Sequence, residues 1–360
     1  MNICVFVNYS NQIPIFLGLF GRENLVYESK FDASYFESSI TQSWYHPKLD
    51  TKFQFYRNEN DFLNESISFF EQFDSSIFFA ENLNSSNVVD RVNEIKNSKK
   101  IFIWHYGEVF HRDILSIVEK RNYDLIYSGS RQIKLENTEK YIFDPLLQFR
   151  YFRYFIGYYW LEGLLNNMEV PKYNKELPKL FSYVRAHSDS SWRTEFIKKI
   201  TGLNELLSKK DSANDGYDLL YPKYKHFEAI NDYLYCNFNL IFETINPYNN
   251  GEWFLTEKTY KGLFFGKPFL LVTPFEALNT LKQMGFFILN FEFKEVIQSA
   301  NDLDMSIRNF VEWLKNASET EIEERYNQFL EKSLNNRKIL FNYLNDYSQS
   351  EKILENLIKK

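Results

Sequence analysis

The sequence predicts an α/β protein of two domains followed by a helical tail. Three observations carry this. At 360 residues the chain is long enough for about two domains of ordinary size. Short apolar runs alternate with polar, helix-like stretches in two separate regions. Between those regions lies a polar, proline-bearing segment, "MEVPKYNKELPK" (Met168–Lys179), that reads as a linker.

In the first region the predicted strands are Ile3–Val7, Lys52–Tyr56, Ser76–Ala80, Lys100–Trp104 and Asp124–Ser128. Helices are predicted near Asn87–Asn97 and His111–Arg121. Apolar strands alternating with helices imply βαβ units and a parallel sheet covered on both faces. The second region predicts strand Leu180–Val184, a helix near Trp192–Gly202 and strand Asn239–Glu243. Helix Glu257–Phe265, strand Pro268–Val272 and helix Phe275–Met284 follow. Gly266 and Gly285 stand where helix C-caps belong. Ser318 and Glu321 have capping-box spacing at the head of the charged tail. The resulting divisions are 1–148, an aromatic hinge and linker at 149–178, 179–317, and the tail at 318–360. "FRYFRYFIGYYWLEGLL" (Phe149–Leu165) reads as a hinge helix packed between domains; a sugar-stacking platform or a membrane-surface contact is the alternative.

Composition narrows the function. A net charge of −6 argues against a duplex nucleic-acid surface. Cys4 and Cys236 stand far apart with no ligand spacing, so neither a disulfide framework nor a structural zinc site is expected. The N-terminus lacks the basic region of a signal peptide, and no run of about 18 apolar residues predicts a membrane span. A cytoplasmic protein is the expectation.

The stretch "WFLTEKTYKGLFFGKPFLLV" (Trp253–Val272) raises a specific question. Thr256 is a plausible N-cap, which places Glu257 and Lys258 in the first helical turn. Lys258 there opposes the helix dipole. One reading is a capped surface helix with a Glu257–Lys261 ion pair. The other is an anion at the helix start, where N–H groups, dipole and lysine converge. "FSYVRAHSDSSWRTEF" repeats the pattern: Ser190 or Ser191 caps a helix, and Arg193 falls in its first turn. In open α/β sheets ligands bind beyond the carboxyl ends of strands. An Arg and a Lys at two helix starts suit a pyrophosphate, and Glu257 could accept from a ribose diol. "GLFFGK" (Gly262–Lys267) fails as a P-loop, and no Gly-x-Gly-x-x-Gly follows the first strand. Asp302 and Asp304 form an Asp-x-Asp, which could hold a metal with a sugar nucleotide; its polar setting reads as a solvated loop.

"FNLIFETINPYNNGEWFLTEKTYKGLFFGKPFLLV" (Phe238–Val272) resembles the donor-binding region of the fucosyltransferase-like glycosyltransferases, carbohydrate-active family ten. Phe254 to Lys258 matches the centre of that pattern, and "YVRAHSDSSWR" (Tyr183–Arg193) resembles the upstream segment. The layout is also similar to glycosyltransferases of bacteria and their phages. The likeness covers about ninety residues of the second half. It implies a GT-B fold, with two Rossmann-like domains facing a cleft and the nucleotide sugar on the second. It implies that Arg193 and Lys258 hold the diphosphate, Glu257 the ribose, and that Glu243, Thr244, Thr256 and Arg185 line the donor side. Thr244 and Ile245 replace the family's Asn-Ser, which leaves the sugar and base open.

The resemblance further implies inversion without an essential metal, a GDP-sugar donor, a carbohydrate or glycoconjugate acceptor, and a carboxylate base on the first domain. Glu108 is the first candidate base, because Trp104, Tyr106 and Phe110 could desolvate it. Glu81 is the alternative, with His105, His111 and His187 behind it. Two rival expectations are a nucleotide-sugar-binding protein without turnover and a phage enzyme that glycosylates modified DNA bases.

Overall fold

A computed structural model describes residues 1–7, 16, 19–21, 24–27, 42–57, 63–64, 66–79, 86–95, 99–104, 125–128, 141–145, 147, 149–150, 169–184, 191–211, 233–248, 253–348, 350–352 and 355. The chain divides into two compact units, 1–159 with 344–360, and 160–343.

The first unit is built on strands β1 (Asn2–Val7), β2 (Val26–Tyr27), β3 (Gln42–His46), β4 (Thr51–Arg57), β5 (Ser75–Phe79), β6 (Lys99–Trp104), β7 (Leu125–Ser128) and β8 (Tyr141–Phe143). Among the described residues they form one sheet in the order β2-β3-β4-β1-β5-β6-β7-β8. From β4 to β8 the pairing is parallel; β2 and β3 add an antiparallel edge. Ile3 to Val7 are at most 2% exposed, so β1 is covered on both faces, as a central parallel strand must be. On one face Phe16 meets Phe53 and Phe55 edge-on, with ring centres 4.9 and 4.8 Å apart. All five strands predicted here form within a residue or two. Helices α1 (Ile67–Phe70) and α2 (Ser86–Glu94) lie among them, α2 ending short of the predicted Asn97. The predicted helix His111–Arg121 lies outside the described residues.

Among its described residues the second unit carries four strands: β9 (Leu180–Val184), β10 (Leu207–Asp211), β11 (Phe238–Phe242) and β12 (Phe269–Val272). They pair in parallel in the order β10-β9-β11-β12. Its helices are α3 (Ser191–Lys199), α4 (Leu203–Leu206), α5 (Glu257–Phe265), α6 (Phe275–Gln283), α7 (Asn290–Phe293), α8 (Ala300–Asn316) and α9 (Glu319–Asn345).

Of the two readings of α5, the capped surface helix does not hold. Thr259 to Lys261 and Leu263 to Phe265 are at most 2% exposed. On one side α5 lies so close to β11 that a Cβ on Gly262 would stand 2.5 Å from Ile241 Cδ1. On the other it packs on α9, with Phe264 and Phe341 rings 5.8 Å apart. A helix apolar on most of its faces belongs between two layers. Its end is fixed by Gly266, at a left-handed φ of 68°. Arg337 of α9 donates to the Phe264 and Phe265 carbonyls at 2.8 and 2.9 Å, complementing the negative end of the dipole.

The tail is corrected as well. Ser318 does accept from the Glu321 amide, at 3.2 Å. However, α9 belongs to the second unit as far as Tyr343, and the residues after it group with the first. There Ser350 donates to the Leu19 carbonyl and Arg150 to that of Asp346. Residues 151–168, most of the aromatic hinge, lie outside the described residues. Among the described residues no helix is long and apolar enough to cross a membrane.

Candidate functional site

In the second sheet the strand order, counted along the chain, is two-one-three-four. The chain leaves β9 through α3 and α4 toward β10 on one side, and leaves β11 through α5 toward β12 on the other. β9 and β11 therefore border the point where the winding reverses, and α/β proteins bind ligands beyond the carboxyl ends of such strands. Arg193 is the third residue of α3 and Lys258 the second of α5. The two cations singled out in the sequence thus stand on the two helices that flank this point.

They converge on adjacent residues at the end of β11. Arg193, 6% exposed, donates from Nη2 to the Glu243 carbonyl at 2.8 Å. Its guanidinium also lies 5.3 Å from the Trp192 ring centre. Lys258 Nζ stands 3.4 Å from both the Thr244 and the Thr256 hydroxyl oxygens.

Beneath them lies a carboxylate. Glu243 is 0% exposed. Its Oε1 accepts from the Thr256 amide at 2.9 Å, the Thr259 amide at 3.3 Å and the Thr259 hydroxyl. Its Oε2 accepts from the Thr256 hydroxyl at 2.6 Å and the Thr244 amide at 3.2 Å. Thr256 is the N-cap of α5, and its hydroxyl oxygen in turn accepts from the Lys258 amide at 3.3 Å. The anion at this helix start is therefore one of the chain's own side chains. It satisfies donors that a helix N-terminus leaves open.

This arrangement sorts the expected donor-side residues. Lys258 and Thr244 are partly exposed, Thr256 and Arg193 are buried, and Glu243 is fully enclosed. Glu243, expected to line the donor side, acts instead through the residues it holds. The hydroxyl of Thr259, which the sequence reading passed over, belongs to the same network. The Thr256–Thr259 spacing of three residues sets both hydroxyls on one helix face, and that is the local signal for it. The helix position of Glu257 is described, whereas its side chain, Arg185, Glu81, Glu108, His105, His111 and His187 lie outside the described residues. In the chain Glu81 follows the end of β5 by two residues and Glu108 follows that of β6 by four. Lys261 is 2% exposed, and its expected pairing with Glu257 falls on a side chain outside the described residues.

Asp302 and Asp304 are not in a loop. They lie in α8, where a separation of two residues points side chains in different directions. Asp302 caps the helix start with Ser299, at 2.9 and 3.2 Å. Asp304 is 5% exposed and pairs with Lys199 and Tyr248. Among the described residues no three His, Cys, Asp or Glu side chains group as metal ligands.

In comparisons with known proteins, no family model matches the chain and no curated protein does.

Proposed function

We propose that the chain is a glycosyltransferase that moves a sugar from a nucleoside-diphosphate sugar, with GDP-sugar favoured, to an acceptor hydroxyl. One observation carries the reading: Arg193 and Lys258 meet at the carboxyl end of β11, beside the reversal point of a parallel sheet. The resemblance of Phe238–Val272 to the family-ten donor region supports it, and so does the α/β character of both units. The GT-B architecture and inversion at the anomeric carbon belong to the same proposal.

In this proposal each side chain has a task. Arg193 and Lys258 face the charge that builds on the departing diphosphate, which is where fixed cations lower a transition state. The Thr244 hydroxyl sits beside Lys258 as a further donor. A carboxylate removes the acceptor proton, with Glu108 the first candidate and Glu81 the second.

The first test is a thermal-shift screen with GDP, UDP, CMP and dTDP, with and without sugars. A ligand at about a hundred times its dissociation constant should stabilise by about 2.7 kcal/mol. Lys258→Ala and Arg193→Ala should each weaken diphosphate binding by about 1.5–3 kcal/mol, the worth of a charge-assisted contact. Unchanged affinity in both variants would remove the site. Once a donor is known, Glu108→Gln or Glu81→Gln should cut turnover by about a hundredfold or more while donor binding persists. Full activity in both would exclude them as the base.

A rival reading has its own support. Arg193 donates to the Glu243 carbonyl and Lys258 stands beside the Thr256 hydroxyl that donates to the Glu243 carboxylate, so both cations could serve only to brace the end of β11 and the start of α5. In that case the alanine variants would lose stability and no ligand would shift the wild type.

A further inference from the structure

The segment between β11 and α5 carries a second set of contacts, away from Glu243. The Tyr248 hydroxyl donates to Asp304 Oδ1 at 2.6 Å. Lys199 Nζ donates to that same hydroxyl at 3.1 Å, pairs with Asp304 Oδ2, and lies 4.5 Å from the centre of the Tyr248 ring. Phe196 flanks the ring at 6.5 Å. Before it in the chain, Asn246 Oδ1 accepts from the Tyr248 amide at 3.1 Å and shapes the turn. Arg308 donates to the Lys199 carbonyl at 2.7 Å, so α8 grips the end of α3 at two points.

The connectivity gives this cluster its meaning. Lys199 and Phe196 belong to α3, the helix that starts with Arg193. Tyr248 stands four residues after Thr244, in the segment that follows β11, and precedes Lys258 in the chain. Asp304, on α8, holds both. We propose that Tyr248, held by Asp304 and Lys199, is a positioning residue that fixes the spacing of Arg193 and Lys258 and thereby gives the site its preference for a diphosphate over a monophosphate. A diphosphate spans both cations and needs their separation held; a monophosphate can be satisfied by one. The inference rests on the diphosphate reading above. Burial, and then the bond to Asp304, push the Tyr248 phenol up to about 12, so the hydroxyl remains a donor across the physiological range.

The test compares wild type, Tyr248→Phe and Asp304→Asn. Tyr248→Phe keeps the ring against Lys199 and Phe196 and removes only the hydroxyl. Hydrogen exchange is followed on the ligand-free proteins at Thr244–Tyr248 and across α5. GDP, GMP, UDP and UMP are then titrated by calorimetry. In Tyr248→Phe the loop amides should exchange faster while α5 stays protected. Affinity for the diphosphate should fall about tenfold, the scale of one hydrogen bond, with that for its monophosphate unchanged. Asp304→Asn should act in the same direction. An equal loss for diphosphate and monophosphate, or no loss for either, overturns the selectivity role. Unchanged loop exchange overturns the latch itself. A wild type that binds none of the four overturns the diphosphate reading and the selectivity with it, and the exchange data still decide whether Tyr248 holds the loop.

Discussion

Glu243→Gln should be among the most destabilising conservative substitutions in the second unit, costing about 3–5 kcal/mol as expected when two or more buried donors are left without an acceptor. The carboxylate accepts from three amides and two hydroxyls and is fully enclosed. An amide supplies one oxygen and one nitrogen that carries protons. Whichever way it turns, an N–H faces donors that previously faced oxygen, and buried donors are left without acceptors. Urea denaturation would measure the loss, and hydrogen exchange would locate it at Thr256–Tyr260. A change below about 0.5 kcal/mol, the range of ordinary surface substitutions, would show that the carboxylate does not organise the helix start.

Strands buried on both faces were legible in the sequence. Ile3–Val7, the opening of β9 at Leu180–Ser182 and the apolar run at Phe238–Phe242 announce themselves because a central parallel strand has no solvent face to mark with polar residues. The strands that escaped lie at or beside a sheet border. Gln42–His46 is antiparallel and lies near one border of its sheet, and "LSKKD" of β10 lies at the border of the other. An edge tolerates lysine and serine, and both help keep it from pairing with other chains. Helix α8 was missed for another reason. Its polar opening, with Asp302 and Asp304, reads as loop, although Leu303, Ile307, Phe310, Val311 and Leu314 mark a buried stripe further on.

The same distinction holds at the site. Arg193 and Lys258 were found because a cation in a first helical turn is a local anomaly visible in a few residues. Their convergence was not visible, because it depends on the order in which strands pair. Nor was the role of Glu243, whose partners Thr256 and Thr259 lie 13 and 16 residues away. A polar residue closing an apolar strand signals only that something waits at the carboxyl end. The fold decides whether a ligand or the next helix meets it.

Lys267→Met is expected to stabilise the protein at neutral pH. Lys267 follows Gly266 at the end of α5 and is 1% exposed. Its ammonium donates to the Tyr326 hydroxyl at 2.9 Å and contacts the Pro171 carbonyl at 3.4 Å. Burial outweighs these contacts and lowers its pKa from 10.5 to about 8. A lysine whose folded pKa lies below the unfolded value binds protons more readily when unfolded. Its charge therefore opposes folding fully below pH 8, and that opposition fades as pH rises toward 10.5. The shift corresponds to about 3 kcal/mol at pH 7. Methionine keeps much of the stem volume, and its loss of the ammonium strands nothing, because the Tyr326 hydroxyl donates to the Pro171 carbonyl at 3.1 Å. A gain of about 1–3 kcal/mol at pH 7 is expected, shrinking by pH 9.5 as the wild type recovers. The comparison stops near pH 10, because burial also raises the Tyr326 phenol, and its ionisation then works in the opposite direction. Denaturant melts of both proteins at pH 7 and 9.5 decide the matter. A variant less stable at pH 7, or a difference that does not change with pH, would mean that the buried ammonium is compensated by its partners.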